Sequence, residues 1–235
     1  MGSLVSLICV SLVLVFASSA LALIDDFDDG KADGWEAIQG DWKVKNGEYI
    51  QEDTEWTVTN TNETYHRSFL GDVNWTDYTV EVDVIIDGPG ELAPIAGVFV
   101  RVTEKSEEGP YYFFRIDTRP DWGPGAVESP NNNFDGANGG QMEGGLDPAF
   151  LALEENEVEY HLKVVAEGNH FLYYVDNDLI LDIVDDVDPF LKGAVGLGTF
   201  NAGASFDNFQ ATGEGLPGAV SKEGKLTACW GTLKE

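Results

Sequence analysis

The chain has 235 residues, with 42 Asp and Glu against 13 Lys and Arg, for a formal net charge of −29. A field of that sign repels phosphate backbones and anionic lipid, which excludes ordinary nucleic-acid binding and docking on acidic membranes. A hydrophobic content of 43% still supplies a core, and the length suits one large all-β domain or two small ones.

From Leu4 to Phe16 the sequence is apolar apart from Ser6 and Ser11, and no charged side chain precedes Asp25. Ala20-Leu21-Ala22 offers an A-x-A cleavage site, so residues 1–22 read as a secretory signal peptide. An uncleaved anchor is the alternative, for which the apolar run is short. No later stretch is apolar enough to span a bilayer, so the expectation is an exported protein without membrane insertion. Cleavage leaves Cys229 as the one cysteine. That excludes an intrachain disulfide and leaves the fold to its core or to a metal; an intermolecular disulfide is the other use for Cys229.

No sustained 3.6-residue period follows. Trp42 to Val44 and Glu48 to Ile50 flank Asn46-Gly47, a strong hairpin signal. Thr79 to Ile86 alternates with period two. Further strand-like runs cover Ile95–Val102, Tyr111–Asp117, Val158–Ala166, Phe171–Val175, Leu179–Val184, Ala194–Phe200 and Ser205–Ala211. Turn chemistry separates several of them, at Glu167-Gly168-Asn169 and at Asp176-Asn177-Asp178. The pattern predicts an all-β, two-sheet antiparallel sandwich. Arg119 to Asp147, rich in Pro, Asn and Gly, breaks the rhythm as a long loop. Residues 213–235 read as a linker and tail.

Several of these stretches resemble the concanavalin A-like superfamily, in particular secreted bacterial LamG-type jelly-roll modules. Asp25-Asp26-Phe27-Asp28-Asp29-Gly30 with Gly34-Trp35 is similar to the opening strand. Gly40-Asp41-Trp42 through Glu48-Tyr49 is similar to the following hairpin. Asp77 to Val84, Gly97 to Arg101, Tyr112 to Asp117, Gly196 to Asn201 and Ser205 to Phe209 come in the same order. The resemblance covers residues 24 to 212, and implies a jelly roll over residues 23–212. It also implies a structural Ca²⁺ bridging the first and last strands, held by Asp26, the carbonyl of Gly47 and Asp207. Calcium takes such oxygen donors, and strand alternation would turn both carboxylates outward while Phe27 and Phe206 face the core.

The fold does not decide between binding and catalysis. Retaining glycosidases of this superfamily set two glutamates on one strand, in an E-x-D-x-(x)-E pattern whose spacing aims them at one sugar. Here Glu81-Val82-Asp83 begins correctly, but Ile85 and Ile86 stand where the second glutamate belongs. Glu81 and Asp83 therefore read as a solvated strand face, and no catalytic residue is assigned. An acid pair from distant strands would involve Glu104, Glu107, Glu128 or Glu143. His66, His161 and His170 show no zinc spacing.

A sugar site combines an aromatic platform with polar groups that orient hydroxyls. Arg101 and Arg115 fall on the two strands expected to line the concave sheet, where basic residues are scarce. Tyr112, Asp117, the loop residue Trp122 and Asn201 complete the candidate set. The expectation is a secreted, non-catalytic module binding an extracellular glycan. A glycoside hydrolase with an atypical acid pair and a structural or adhesion component of the cell surface are the alternatives.

Overall fold

A computed structural model describes residues 21–54, 66–87, 94–118, 124–129, 141–143, 158–213, 216, 220–221 and 225–226. Trp122, Cys229 and most of the expected signal segment lie outside the described residues. Among the described residues there is no helix, and so none long and apolar enough to cross a membrane.

The strands run in chain order as β1 (Leu21–Asp25), β2 (Glu36–Gln39), β3 (Trp42–Lys45), β4 (Glu48–Gln51), β5 (His66–Leu70) and β6 (Tyr78–Asp87). There follow β7 (Ile95–Val102), β8 (Tyr111–Asp117), β9 (Gly125–Ser129), β10 (Gln141–Glu143), β11 (Glu159–Glu167) and β12 (His170–Val175). The last are β13 (Asp178–Val184), β14 (Ala194–Phe200), β15 (Gly203–Gly213), β16 (Val220–Ser221) and β17 (Lys225–Leu226). An eight-stranded sheet has the order β13-β12-β11-β6-β15-β4-β3, with β1 also paired to β15. A seven-stranded sheet has the order β10-β9-β8-β7-β14-β5-β2. All pairings are antiparallel. The expected sandwich is the observed one.

Its core follows from period-two alternation. Val80, Val82, Val84 and Ile86 of β6, with Leu162 and Val164 of β11, meet Ala96, Val98 and Val100 of β7, Phe114 and Ile116 of β8, and Val195 and Leu197 of β14. Burying one such side chain contributes about 1.5–3 kcal/mol. The turns behave as their residues dictate. Asn46 and Gly47 take φ 59° and 87° between Lys45 and its partner Glu48, and Asp176 and Asn177 take φ 51° and 70° between β12 and β13. These are the left-handed values that a two-residue hairpin loop needs.

One region departs from the sequence reading. The stretch Arg119–Asp147, expected to be a long loop, contributes β9 and β10, with Gly125 opposite Glu143 at the edge of the seven-stranded sheet. β1 begins at Leu21, so it runs across the expected cleavage point; Leu23 to Asp25 pair with Ala211 to Phe209.

Candidate functional site on the outer face of the seven-stranded sheet

On β8, Tyr112, Phe114 and Ile116 point into the core between the sheets. Alternation therefore sends Tyr111, Phe113, Arg115 and Asp117 to the opposite, outer face. There Phe99 of β7 stacks on Phe113 at 4.3 Å between ring centroids and meets Tyr111 edge-on at 4.8 Å. Phe69 of β5 completes a second apolar cluster with Ile95, Val102, Ala194 and Phe200. Gly198 lets Phe99 lie against β14: a Cβ there would sit 2.2 Å from the ring.

Charged groups border this layer. Arg67 of β5 places its guanidinium 5.3 Å from the Tyr111 ring centroid and 5.8 Å from that of Phe99, within cation–π range, and its Nη1 donates to the Glu107 carbonyl at 2.8 Å. Arg115 Nη1 donates to Asp117 Oδ2 at 3.2 Å, and the two side chains are 3% and 0% exposed. Arg115 Nε has no hydrogen-bond partner among the described residues. Backbone register lines up Arg67, Gly198, Gly97 and Arg115 across four adjacent strands, continuing to Gly125 and Glu143.

Of the expected sugar-site residues, Arg115 and Asp117 are in direct contact here. Arg101 is displaced from the face by one local feature. It takes φ 54°, and the β7–β14 register shifts beside it. Such a bulge reverses the alternation. Val102 joins the outer cluster while Arg101 turns inward, wholly buried. Its Nη2 donates to the carbonyls of Ala166 and Gly168 at 3.2 Å each and to Asp77 Oδ1 at 3.3 Å, and its backbone N–H donates to Tyr78 Oη at 2.7 Å. Burial pushes the Tyr78 hydroxyl up to about 12 despite the nearby guanidinium. Arg101 joins the two sheets and does not face a ligand surface. Tyr112 is likewise internal, between Phe171 and Phe190. Asn201 occupies the tight β14–β15 turn at φ 55°, one residue past Phe200, which is in register through Ile95 with Asp117. Trp122 falls outside the described residues.

Arg67 was missed in the sequence because β5 was not recognised as a strand. Its five residues are all buried, although the first three are polar. A local network accounts for this: Gln51 Nε2 donates to Thr199 Oγ1 at 2.8 Å and contacts His66 Nδ1, while Tyr49 and Ser68 share a 2.9 Å hydroxyl contact.

The opposite, outer face of the eight-stranded sheet carries the expected acidic strand. Glu81 pairs with Lys163 at 2.8 Å, and Asp83 meets His161 Nδ1 at 2.7 Å and accepts from Asn208 Nδ2 at 2.9 Å. At the corner of β1, β4 and β15, Asp207 is held above the usual carboxylate range. Burial is the main cause, the Asn208 N–H opposes it, and Asp28, Asp83 and Asp26 add to it. A Cβ at Gly47 would lie 3.0 Å from Asp28 Oδ1, so Asp28 is the carboxylate that abuts Gly47. The donor types suit calcium. As they stand, no three acid, Cys or His side chains among the described residues close on one point as metal ligands.

The fold is a two-sheet sandwich of the concanavalin A-like, galectin-like kind. A family model described as a 3-keto-alpha-glucoside-1,2-lyase-like domain matches residues 22–212. The chain belongs to that family. It is 27% identical over 177 residues to the levanase of Bacillus subtilis (strain 168), a match covering 74% of this chain and 22% of the levanase. Carbohydrate binding module CBM66 from Bacillus subtilis is similar in structure, with TM-score 0.56 and 22% identity over 77% of this chain and 96% of the module. A Bacillus subtilis protein of unknown function with a galectin-like fold has TM-score 0.55 and 13% identity over 80% of this chain and 94% of its own.

Proposed function

We propose that this domain is an extracellular, non-catalytic carbohydrate-binding module whose ligand sits on the outer face of the seven-stranded sheet. The observation that carries the reading is the buried Arg115–Asp117 pair, with Arg67 in register on the same side three strands away. Burying a salt bridge rarely benefits stability against an apolar replacement. Fixed donors and acceptors on a rigid strand face suit the orientation of sugar hydroxyls. The similarity to a carbohydrate binding module supports the fold on which the reading depends. A structural calcium ion at the corner of Asp26, Gly47 and Asp207 belongs to the same proposal, supported by the carboxylates crowded there.

A second reading has one specific support, the family match: lyase chemistry on a 3-keto glucoside. The two readings separate in one experiment. The purified full chain is applied to a glycan array and, in parallel, incubated with a 3-keto glucoside while product is followed by mass spectrometry. Binding without turnover, lost in Arg115→Ala, is the expected result. Turnover would replace the module reading with the enzyme.

A further inference from the structure

The outer sides of the two sheets carry different ion pairs among the described residues. The outer face of the eight-stranded sheet presents Glu81, Asp83, Asp182 and Asp207, with Lys163, His161 and His170 as their partners. The outward side of the seven-stranded sheet holds Arg67 and the Arg115–Asp117 pair, all buried; at its margin Glu104, Glu107 and Glu108 lie in the β7–β8 loop and Glu36 is paired with Lys105. Four of the basic residues are arginines, and two of these border this one apolar layer.

Resting on the proposed sugar-binding face, we infer that its ligand is an anionic sugar bearing a carboxylate, a uronic acid residue, read by Arg115. A guanidinium cannot shed its proton to ease burial. Asp117 engages one Nη atom and leaves the Nε N–H without a partner, on a side chain 97% buried. A buried donor in that state is satisfied best by an ionised acceptor, and the planar carboxylate matches the guanidinium edge. Arg67 stands three strand spacings away, roughly 14 Å at 4.8 Å per strand, a span longer than one sugar ring. The site therefore fits an oligosaccharide rather than a free monosaccharide. The negative charge of the far sheet acts from across the sandwich, at about the distance over which physiological salt screens it.

The experiment titrates the full-length chain with an oligogalacturonate, with its methyl ester, and with a sulfated oligosaccharide of matching length, by calorimetry. The ester keeps the sugar and removes the charge, so the wild-type comparison requires no variant to fold. Affinity for the free acid at least tenfold above the ester is expected. Arg115→Gln should abolish that ratio, while Asp117→Asn keeps or widens it. Equal binding of acid and ester overturns the inference and leaves the sugar-binding face standing. Tighter binding of the sulfated probe overturns the carboxylate assignment. Failure of every glycan, neutral or charged, overturns both this inference and the function on which it rests.

Discussion

Tyr112 donates its hydroxyl to Asp185 Oδ2 at 2.5 Å, tying the middle of the seven-stranded sheet to the segment that follows β13 in the other sheet. The same hydroxyl accepts from the Phe190 N–H at 3.0 Å, and Asp185 Oδ1 accepts from the Val187 N–H at 2.9 Å. A residue expected from sequence to touch a ligand is thus a bracket for the 185–190 segment. Tyr112→Phe keeps the ring between Phe171 and Phe190 and removes only the hydroxyl. It leaves a buried carboxylate short of one donor, which costs about 1–3 kcal/mol. Urea denaturation should register that loss. Glycan affinity, measured on the folded fraction, should stay within twofold of the wild type, because Tyr112 faces the core.

His66 makes stability depend on pH. Burial pushes its pKa below the ordinary imidazole value; the Asp53 carboxylate, 3.5 Å from Nε2, works against this, and Arg67 adds to it. The unfolded chain takes up a proton near pH 6.5 that the folded chain refuses until lower pH. Stability is therefore unaffected by this group above about pH 6.5 and declines as pH falls toward the depressed folded value. Replacing His66 by Gln should remove that decline. Denaturation midpoints of the two proteins at pH 7.5 and pH 5.5 give the comparison: wild type should lose more stability over the interval than His66→Gln. An equal loss in both would assign the dependence elsewhere.

Much of the sandwich was legible because its strands obey period two and its turns carry Asn, Asp and Gly where positive φ is needed. The Asn46-Gly47 hairpin and the whole of β6, β7, β8 and β14 follow directly. What failed was the inference from strand to face. Arg101 and Arg115 lie on neighbouring strands, and simple alternation would put both on one surface. A single positive-φ residue beside Gly193, where a Cβ would sit 2.2 Å from the Arg101 backbone carbon, reverses one of them. Nothing in Val100-Arg101-Val102 signals a bulge, since none of these residues favours left-handed backbone. β5 was lost for a different reason. His66-Arg67-Ser68 reads as a polar stretch, and its burial depends on partners far away in sequence: Gln51, Glu107 and Tyr49. Local pattern carries no trace of such pairings.

The last prediction concerns Asp207 and Asp83, which face one another in register across the β15–β6 pair. Like charges directly opposite on a sheet destabilise it by about 0.2–1 kcal/mol. Asp83 has a partial remedy in His161 and Asn208. Asp207 lies where the β15–β6 register shifts, close to Asp28 and Asp26. Because its folded pKa is raised above the unfolded value, its contribution is fully favourable only below about pH 3.9 and is lost as pH rises through the folded pKa. At neutral pH the ionised Asp207 therefore carries a cost set first by its burial, to which repulsion from Asp28, Asp83 and Asp26 adds. Two changes should relieve it. In chelator, Asp207→Asn should be more stable than wild type by about 0.5 kcal/mol. In calcium at a hundredfold excess over its Kd, wild type should gain about 2.7 kcal/mol, and the variant, lacking one carboxylate ligand, should gain much less. Calorimetric melting of both proteins with chelator and with calcium tests the pair of effects together. A wild type whose Tm is indifferent to calcium at every concentration removes the ion from the proposal, while the gain in Asp207→Asn would still report the repulsion between Asp207 and its neighbours.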